Sequence, residues 1–251
     1  ITITVNDGEG DALSATALST LGGKTAGDVT VSNAVVISGT QAQVTAALVT
    51  DDTKVEAGTA DVTITGGGGD DINAEDLSAI GGATGGDVTV NEAINIVGTT
   101  AQVTAALVTD ATKVEATTAT VALDAGQTPT VSQLNDIADA TDGVVTATLA
   151  AAALADLGAL STESDDDITI TVNDGEGDDL NAETLSALGG KTAGTVTVSN
   201  AVNIVGTTAQ VTAALVTDDT KVIATSATVA LDQGQTPTVS QLNDIADATD
   251  G

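Results

Sequence analysis

Two nearly identical acidic turns are the residues in this sequence best suited to chemistry. Asn6-Asp-Gly-Glu-Gly-Asp11 and Asn173-Asp-Gly-Glu-Gly-Asp-Asp179 each set several oxygen donors on a glycine-hinged bend. The candidate ligands are Asn6, Asp7, Glu9 and Asp11 in the first turn, and Asn173, Asp174, Glu176, Asp178 and Asp179 in the second. The ion they suit is a hard cation such as Ca2+, which takes about six to eight oxygens. Asp165, Asp166 and Asp167 lie just upstream of the second turn. Asp70 and Asp71 close Gly66-Gly-Gly-Gly-Asp-Asp71, which matches the front of a glycine-rich calcium nonapeptide. That match occurs once and lacks the apolar residue the motif requires. None of these runs has the spacing of an EF-hand loop. The competing reading is a solvated acidic turn that ends a strand.

Other chemistry is harder to build. The chain has no His and no Cys, so a nucleophile has no partner base of the usual kind. A carboxylate pair suited to glycoside hydrolysis needs one asymmetric cleft. Here the acids sit in repeated turns, and no aromatic residue exists to stack on a sugar. The expectation is a protein that is not an enzyme. The five basic residues are all lysines, and Lys54, Lys113 and Lys221 follow acidic residues at turns, where an exposed local ion pair contributes little.

The elements that position these residues are repeated. Ile1–Asp11 returns unchanged as Ile168–Asp178, Thr99–Asp110 as Thr207–Asp218, and Pro129–Gly143 as Pro237–Gly251. Repetition of this kind marks units too small to bury their own apolar faces, which stack on their neighbours instead. Residues 1–61, 62–143 and 168–251 are related segments, and residues 144–167 form an extra unit seen once. The whole of 1–251 reads as one continuous array.

Alternating apolar residues predict strands over Ile1–Val5, Val29–Ser38, Val55–Thr65, Val88–Val97, Val114–Leu123, Val144–Leu149, Ile168–Val172, Val196–Val205 and Val222–Leu231. Between them lie short stretches of helical spacing, such as Val44, Ala47 and Leu48, or Leu134, Ile137 and Ala138. Thr40/Gln43, Thr99/Gln102, Thr130/Gln133, Thr207/Gln210 and Thr238/Gln241 have capping-box spacing. Asn73 and Asn181 are candidate caps, and Gly22-Gly23, Gly81-Gly82 and Gly189-Gly190 candidate helix ends. The rhythm predicts about nine strand–helix coils of roughly 28 residues each. Short helices between strands imply parallel pairing. The expected architecture is therefore an α/β solenoid, with stacked strand–helix coils and a parallel β-sheet. The alternatives are an all-β solenoid, in which the apparent helices are extended turns, and tandem β-sandwiches, which need hairpins.

Composition agrees with thin coils. The apolar 41% is entirely Ala, Val, Ile and Leu, so the large aromatic burials of an ordinary core are missing. A net charge of −31 opposes nucleic-acid binding and docking on anionic lipid. No apolar run is long enough to span a bilayer, so no membrane insertion is expected. The chain starts on a strand pattern without an initiator Met, as an internal or mature segment would. Gly251 corresponds to Gly143, so either a further segment like Val144–Asp167 or another copy is expected after it.

Thr100–Leu107 and Thr208–Leu215, alternating with Thr130–Ala138 and Thr238–Ala246, resemble the repeats of very large bacterial surface proteins. These are the adhesin-like, calcium-associated proteins often exported by type I secretion. The resemblance implies an extracellular or cell-surface location, calcium-supported rigidity, and a structural or adhesive role. Two roles follow as expectations. One is a repeat region that self-associates as a homopolymer into a filament, sheath or surface layer. The other is an adhesin stalk carrying a tip that binds a surface or cell-envelope ligand.

Overall fold

The computed structural model describes residues 1–66, 68–90, 93–217, 219 and 221–250. Gly67 of the glycine-rich motif, Asn91 and Glu92 of the expected fourth strand, Asp218 and Gly251 lie outside the described residues. The chain divides into two compact units, one of Ile1–Ala125 with Asp139–Val144, the other of Gly126–Ala138 with Val145–Gly251. Both are mixed α/β. Every strand pairing described within them is parallel, which removes the hairpins that a β-sandwich requires. α-Helices stand between the strands at the predicted places, for example Gln41–Leu48, Val131–Ala138 and Thr208–Leu215. The all-β alternative is thereby corrected: capped Ala- and Leu-containing segments gain their helical hydrogen bonds rather than remaining extended turns.

In the first unit, Ile3–Val5 pairs with Val29–Val31, and that strand with Val55–Glu56. A second series runs from Ala12–Ser14 through Val36–Gly39, Asp61–Ile64 and Val88–Val90 to Val114–Glu115. A third joins Asp71–Asn73, Asn95–Gly98 and Thr120–Leu123. The second unit repeats the scheme. Val145–Thr148 pairs with the front of Asp167–Val172, whose rear half pairs with Val196–Val198, followed by Val222–Ile223. Asp179–Asn181, Asn203–Gly206 and Thr228–Leu231 form its other series.

Register keeps like beside like. Ile37, Val62 and Val88 fall in one row and are all buried, as do Ile72, Ile96 and Val121. Burying an aliphatic side chain in such a row contributes about 1.5–3 kcal/mol. The opposite face is polar: Thr4 lies beside Thr30, which lies beside Glu56.

Most of the long predicted strands are in fact two short strands. Val29–Ser38, for instance, breaks into Val29–Val31 and Val36–Gly39, which enter different sheets. The break is a polar corner. Ser32 N donates to Val5 O at 3.1 Å and Val35 N to Asn33 O at 3.0 Å, so the backbone turns while Val35 stays buried. Period-two alternation does not register a corner that leaves the inward side chain in place. Three short strands, Ala12–Ser14, Asp71–Asn73 and Asp179–Asn181, carry too few apolar residues to show that pattern at all.

All five predicted capping boxes form. Thr207 accepts from Gln210 N at 3.3 Å while Gln210 Oε1 accepts from Thr207 N at 2.8 Å, and the other four are alike. Asn73 and Asn181 also cap, through Glu75 N and Thr184 N.

Two of the glycine pairs end their helices as expected: Ala15–Gly22 is capped by Gly23 and Ala182–Gly189 by Gly190, both with right-handed angles, whereas the helix Ala74–Ala83 runs one residue past Gly81-Gly82. Among the described residues other than glycine, left-handed backbone falls on three lysines, with φ of 47° at Lys54, 48° at Lys113 and 51° at Lys221. Gly22 and Gly81 are required by space. A Cβ would lie 2.0 Å from Thr53 O at Gly22 and 2.3 Å from Thr112 O at Gly81. Glycine there lets the helix touch the backbone of the following turn.

Candidate functional site

The two acidic turns are built alike and are largely self-contained. Asp11 Oδ2 accepts from Gly8 N at 2.7 Å, and Asp178 Oδ2 accepts from Gly175 N at 2.8 Å. Gly10 N and Gly177 N each donate to the next repeat, at Ala34 O and Ala201 O, 2.7 and 2.8 Å away. The asparagines are used as well. Asn6 Oδ1 accepts from Ser32 Oγ at 3.1 Å, and Asn173 Oδ1 accepts from Asn200 Nδ2 at 3.2 Å. Glu9 and Glu176 point into solvent.

The other candidate ligands go separate ways. Asp174 Oδ2 accepts from Leu154 N at 2.8 Å, capping the short helix Leu154–Leu157 from outside it. Asp166 is buried, with Oδ1 accepting from Val145 N at 2.7 Å and Oδ2 from Glu163 N at 2.9 Å. A carboxylate removed from water needs such donors. Its neighbours Asp165 and Asp167 are exposed. Asp71 accepts from Asn95 Nδ2 at 2.8 Å, Asp179 from Asn203 Nδ2 at 2.7 Å, and Asp70 is exposed. Among the described residues, no group of three or more acidic side chains comes together in a way that holds a metal ion.

Two of these acids, Asp71 and Asp179, belong to polar ladders that run from one repeat to the next. Asp71, Asn95 and Thr120 form one: Asn95 donates to Asp71, and Thr120 Oγ1 donates to Asn95 Oδ1 at 3.2 Å. Asp179, Asn203 and Thr228 form the same ladder in the second unit, closing at 3.3 Å. The capping glutamines make another link. Gln102 Nε2 donates to Glu75 Oε2 and Gln210 Nε2 to Glu183 Oε2, both at 2.8 Å. The lysines donate across repeats too: Lys54 Nζ to Ala26 O at 2.9 Å, Lys113 Nζ to Gly85 O, and Lys191 Nζ to Gly158 O at 3.0 Å and to Leu160 O.

A further device was not read from the sequence. Thr25-Ala-Gly27, Thr84-Gly-Gly86, Thr141-Asp-Gly143 and Thr192-Ala-Gly194 form one recurring clasp. The Thr192 hydroxyl donates to Ile168 O at 2.8 Å and accepts from Gly194 N at 2.8 Å. A Cβ on Gly194 would lie 2.5 Å from that same Ile168 carbonyl. Thr84, Thr141 and Thr25 bind Ala60 O, Ala119 O and Ile1 O in the same way. The signal was present as a Thr-x-Gly triplet placed just before the strands Val29–Val31, Val88–Val90, Val145–Thr148 and Val196–Val198.

Two of the open surface grooves are copies of one another, while a third is lined by Thr40, Gln41, Thr65, Asp70 and Asp71. Of the pair, one is lined by Leu107, Thr109, Lys113 and Val114, and its twin by Leu215, Thr217, Lys221 and Val222. No helix among the described residues is long and apolar enough to cross a membrane. No family model, curated protein or solved structure matches this chain.

Proposed function

We propose that this chain is a length of α/β solenoid acting as a structural repeat region of an extracellular or cell-surface protein. In this reading it is not an enzyme. Coils stack end to end or laterally in a filament, sheath or surface layer, and the interaction that matters is with further copies of the same architecture. The supporting observation is a recurring set of polar contacts that link each repeat to its neighbour. Ladders, capping glutamines, lysines and Thr-x-Gly clasps each join one repeat to the next, and none converges on a single centre. Stacked repeats gain their stability from such neighbour interfaces. A net charge of −31 keeps the assembly soluble and makes its association depend on salt.

Negative-stain electron microscopy of the purified chain, at rising concentration and with 0.2 M salt, tests the reading. Regular filaments or sheets are expected. A chain that stays monomeric at every concentration in sedimentation, and forms no ordered particles, overturns it. Isolated rods that never associate favour a stalk instead.

A further inference from the structure

The chain contains two identical copies of the helix segment Pro129–Gly143 and Pro237–Gly251, and their surroundings differ. In the first copy, Leu134 of the helix Val131–Ala138 is 0% exposed. The twin leucine, Leu242 of the helix Val239–Asp247, is 45% exposed, and Val239 is 76% exposed. The segment that lies against the first copy is Val145–Ser161. Ala150 N donates to Pro129 O at 3.0 Å, Asn135 Nδ2 donates to Ala159 O at 2.9 Å, and Ser161 N donates to Asn135 Oδ1 at 2.9 Å. The equivalent groups on the last helix, Pro237 O and the Asn243 amide, stand beside uncovered apolar surface.

The other pair of identical copies shows the matching defect. Ile168 is 0% exposed and Ile1 is 95% exposed. Ile170 and Val172 are buried, whereas Ile3 and Val5 are half-buried. What covers the second copy is again the segment ending at Asp167. Its Ala147 pairs with Ile168, its Ala152 N donates to Thr171 O at 3.2 Å, and its Leu154 N is capped by Asp174. Lys191 reaches its Gly158 and Leu160 carbonyls. In the first copy the corresponding groups are Ile1, Thr4 O, Asp7 and Lys24, and all four residues are exposed.

Resting on the stacked-coil reading above, we infer that the face around Ile1–Lys24 and the helix Val239–Asp247 are two separate docking faces for one kind of partner. That partner is a strand–helix segment with the chemistry of Val144–Asp167. It brings an alternating strand followed by an alanine stretch, whose N–H groups meet Thr4 O or Pro237 O as those of Ala152 and Ala150 meet Thr171 O and Pro129 O. It then brings a short Leu/Ala helix whose first N–H takes the Asp7 carboxylate and whose last carbonyls take Lys24. Its far side offers the carbonyl and N–H that the Asn243 amide holds. A second copy placed directly on either face lacks these groups, because the internal template puts the segment between the two repeated sequences.

The test uses a fluorescent peptide of residues 144–167 titrated with the full chain, followed by anisotropy at concentrations below any self-association. The expected result is saturable binding of two peptides per chain. Leu242→Asp leaves one site, Asp7→Asn with Lys24→Ala leaves the other, and the combination leaves none, while a scrambled peptide does not bind. Absence of saturable binding, or binding indifferent to these substitutions, overturns the inference. Self-association that Leu242→Asp abolishes, without any peptide binding, overturns it in favour of direct copy-to-copy docking. Against aggregation of the peptide, the same segment is appended after Gly251 and amide exchange at Leu242 and Ile245 is measured. At least tenfold slowing is expected, and unchanged exchange refutes the docking face. Peptide binding without filaments sinks the polymer reading alone; filaments without peptide binding sink this one alone.

Discussion

Gln102 serves two repeats at once. Its Oε1 accepts from Thr99 N at 2.9 Å, closing the capping box of its own helix, and its Nε2 donates to Glu75 Oε2 at 2.8 Å in the preceding repeat. The amide is the one side chain of this length that accepts on one atom and donates on the other. A capping box alone is equally well closed by Glu; the link to Glu75 is what demands Gln.

Gln102→Glu therefore separates the two roles. The cap survives, but two carboxylates now face each other, and a loss of about 0.5–1 kcal/mol is expected from an exposed like-charge pair. Adding Glu75→Gln exchanges donor and acceptor and restores the stability. Urea unfolding of the single and double variants measures this, and a double variant no better than the single one refutes the link.

The adjacent glycines Gly81 and Gly82 predict opposite signs. Both lie in the helix Ala74–Ala83. A Cβ on Gly81 would fall 2.3 Å from Thr112 O, whereas one on Gly82 meets nothing within 4 Å. Gly82→Ala should stabilise by about 0.5–1 kcal/mol, the helix-propensity difference. Gly81→Ala should destabilise by roughly 1–3 kcal/mol, as overpacking does, because a backbone carbonyl has to move. Thermal melts of the two variants that shift in the same direction would contradict this account.

How much of this was legible beforehand depends on the range of each signal. Capping boxes, with partners three residues apart, were read correctly at Thr40, Thr99, Thr130, Thr207 and Thr238. Parallel α/β architecture followed from the alternation of strand and helix patterns. That space requires glycine at Gly81 was not legible, because Thr112 O, the atom that excludes a side chain, belongs to a later turn. The Thr-x-Gly clasp was overlooked for the same reason, since the Thr192 partners at Asp166 and Ile168 lie in the preceding repeat. The carboxylates are legible in the sequence, but the N–H groups that Asp11, Asp166 and Asp174 accept from are not. Asp174 is a helix cap for Leu154, and nothing near Asp174 in the sequence says so.

The acidic turns carry a prediction about ions. Asp11 and Asp178 already accept from Gly8 N and Gly175 N, so the bends hold their shape with backbone donors alone. The dominant electrostatic term is the self-repulsion of a chain with net charge −31, which any salt screens. Sodium chloride and calcium chloride at equal ionic strength should therefore raise the melting temperature alike. A calcium-specific gain, removed by chelator and lost in Asp178→Asn, would instead make the turns ion sites. That substitution keeps an acceptor for Gly175 N while removing the charge, so it reports on the ion and not on the turn.

Leu134 and Leu242 offer the sharpest comparison, because each lies within the same fifteen-residue sequence, Pro129–Gly143 and Pro237–Gly251. Any difference between them comes from what lies on top. Leu134→Ala removes a side chain at 0% exposure and should cost about 2–5 kcal/mol, the usual range for a buried leucine. Leu242→Ala removes one at 45% exposure and should cost under about 1 kcal/mol, since much of that surface already meets water. For a chain of this size the first loss corresponds to a drop of roughly 4–20 °C, and the second to a few degrees at most. Measured in dilute solution, equal losses would mean that Leu242 is already covered by something the isolated chain supplies. A gap that closes as protein concentration rises would show the last helix becoming buried on association.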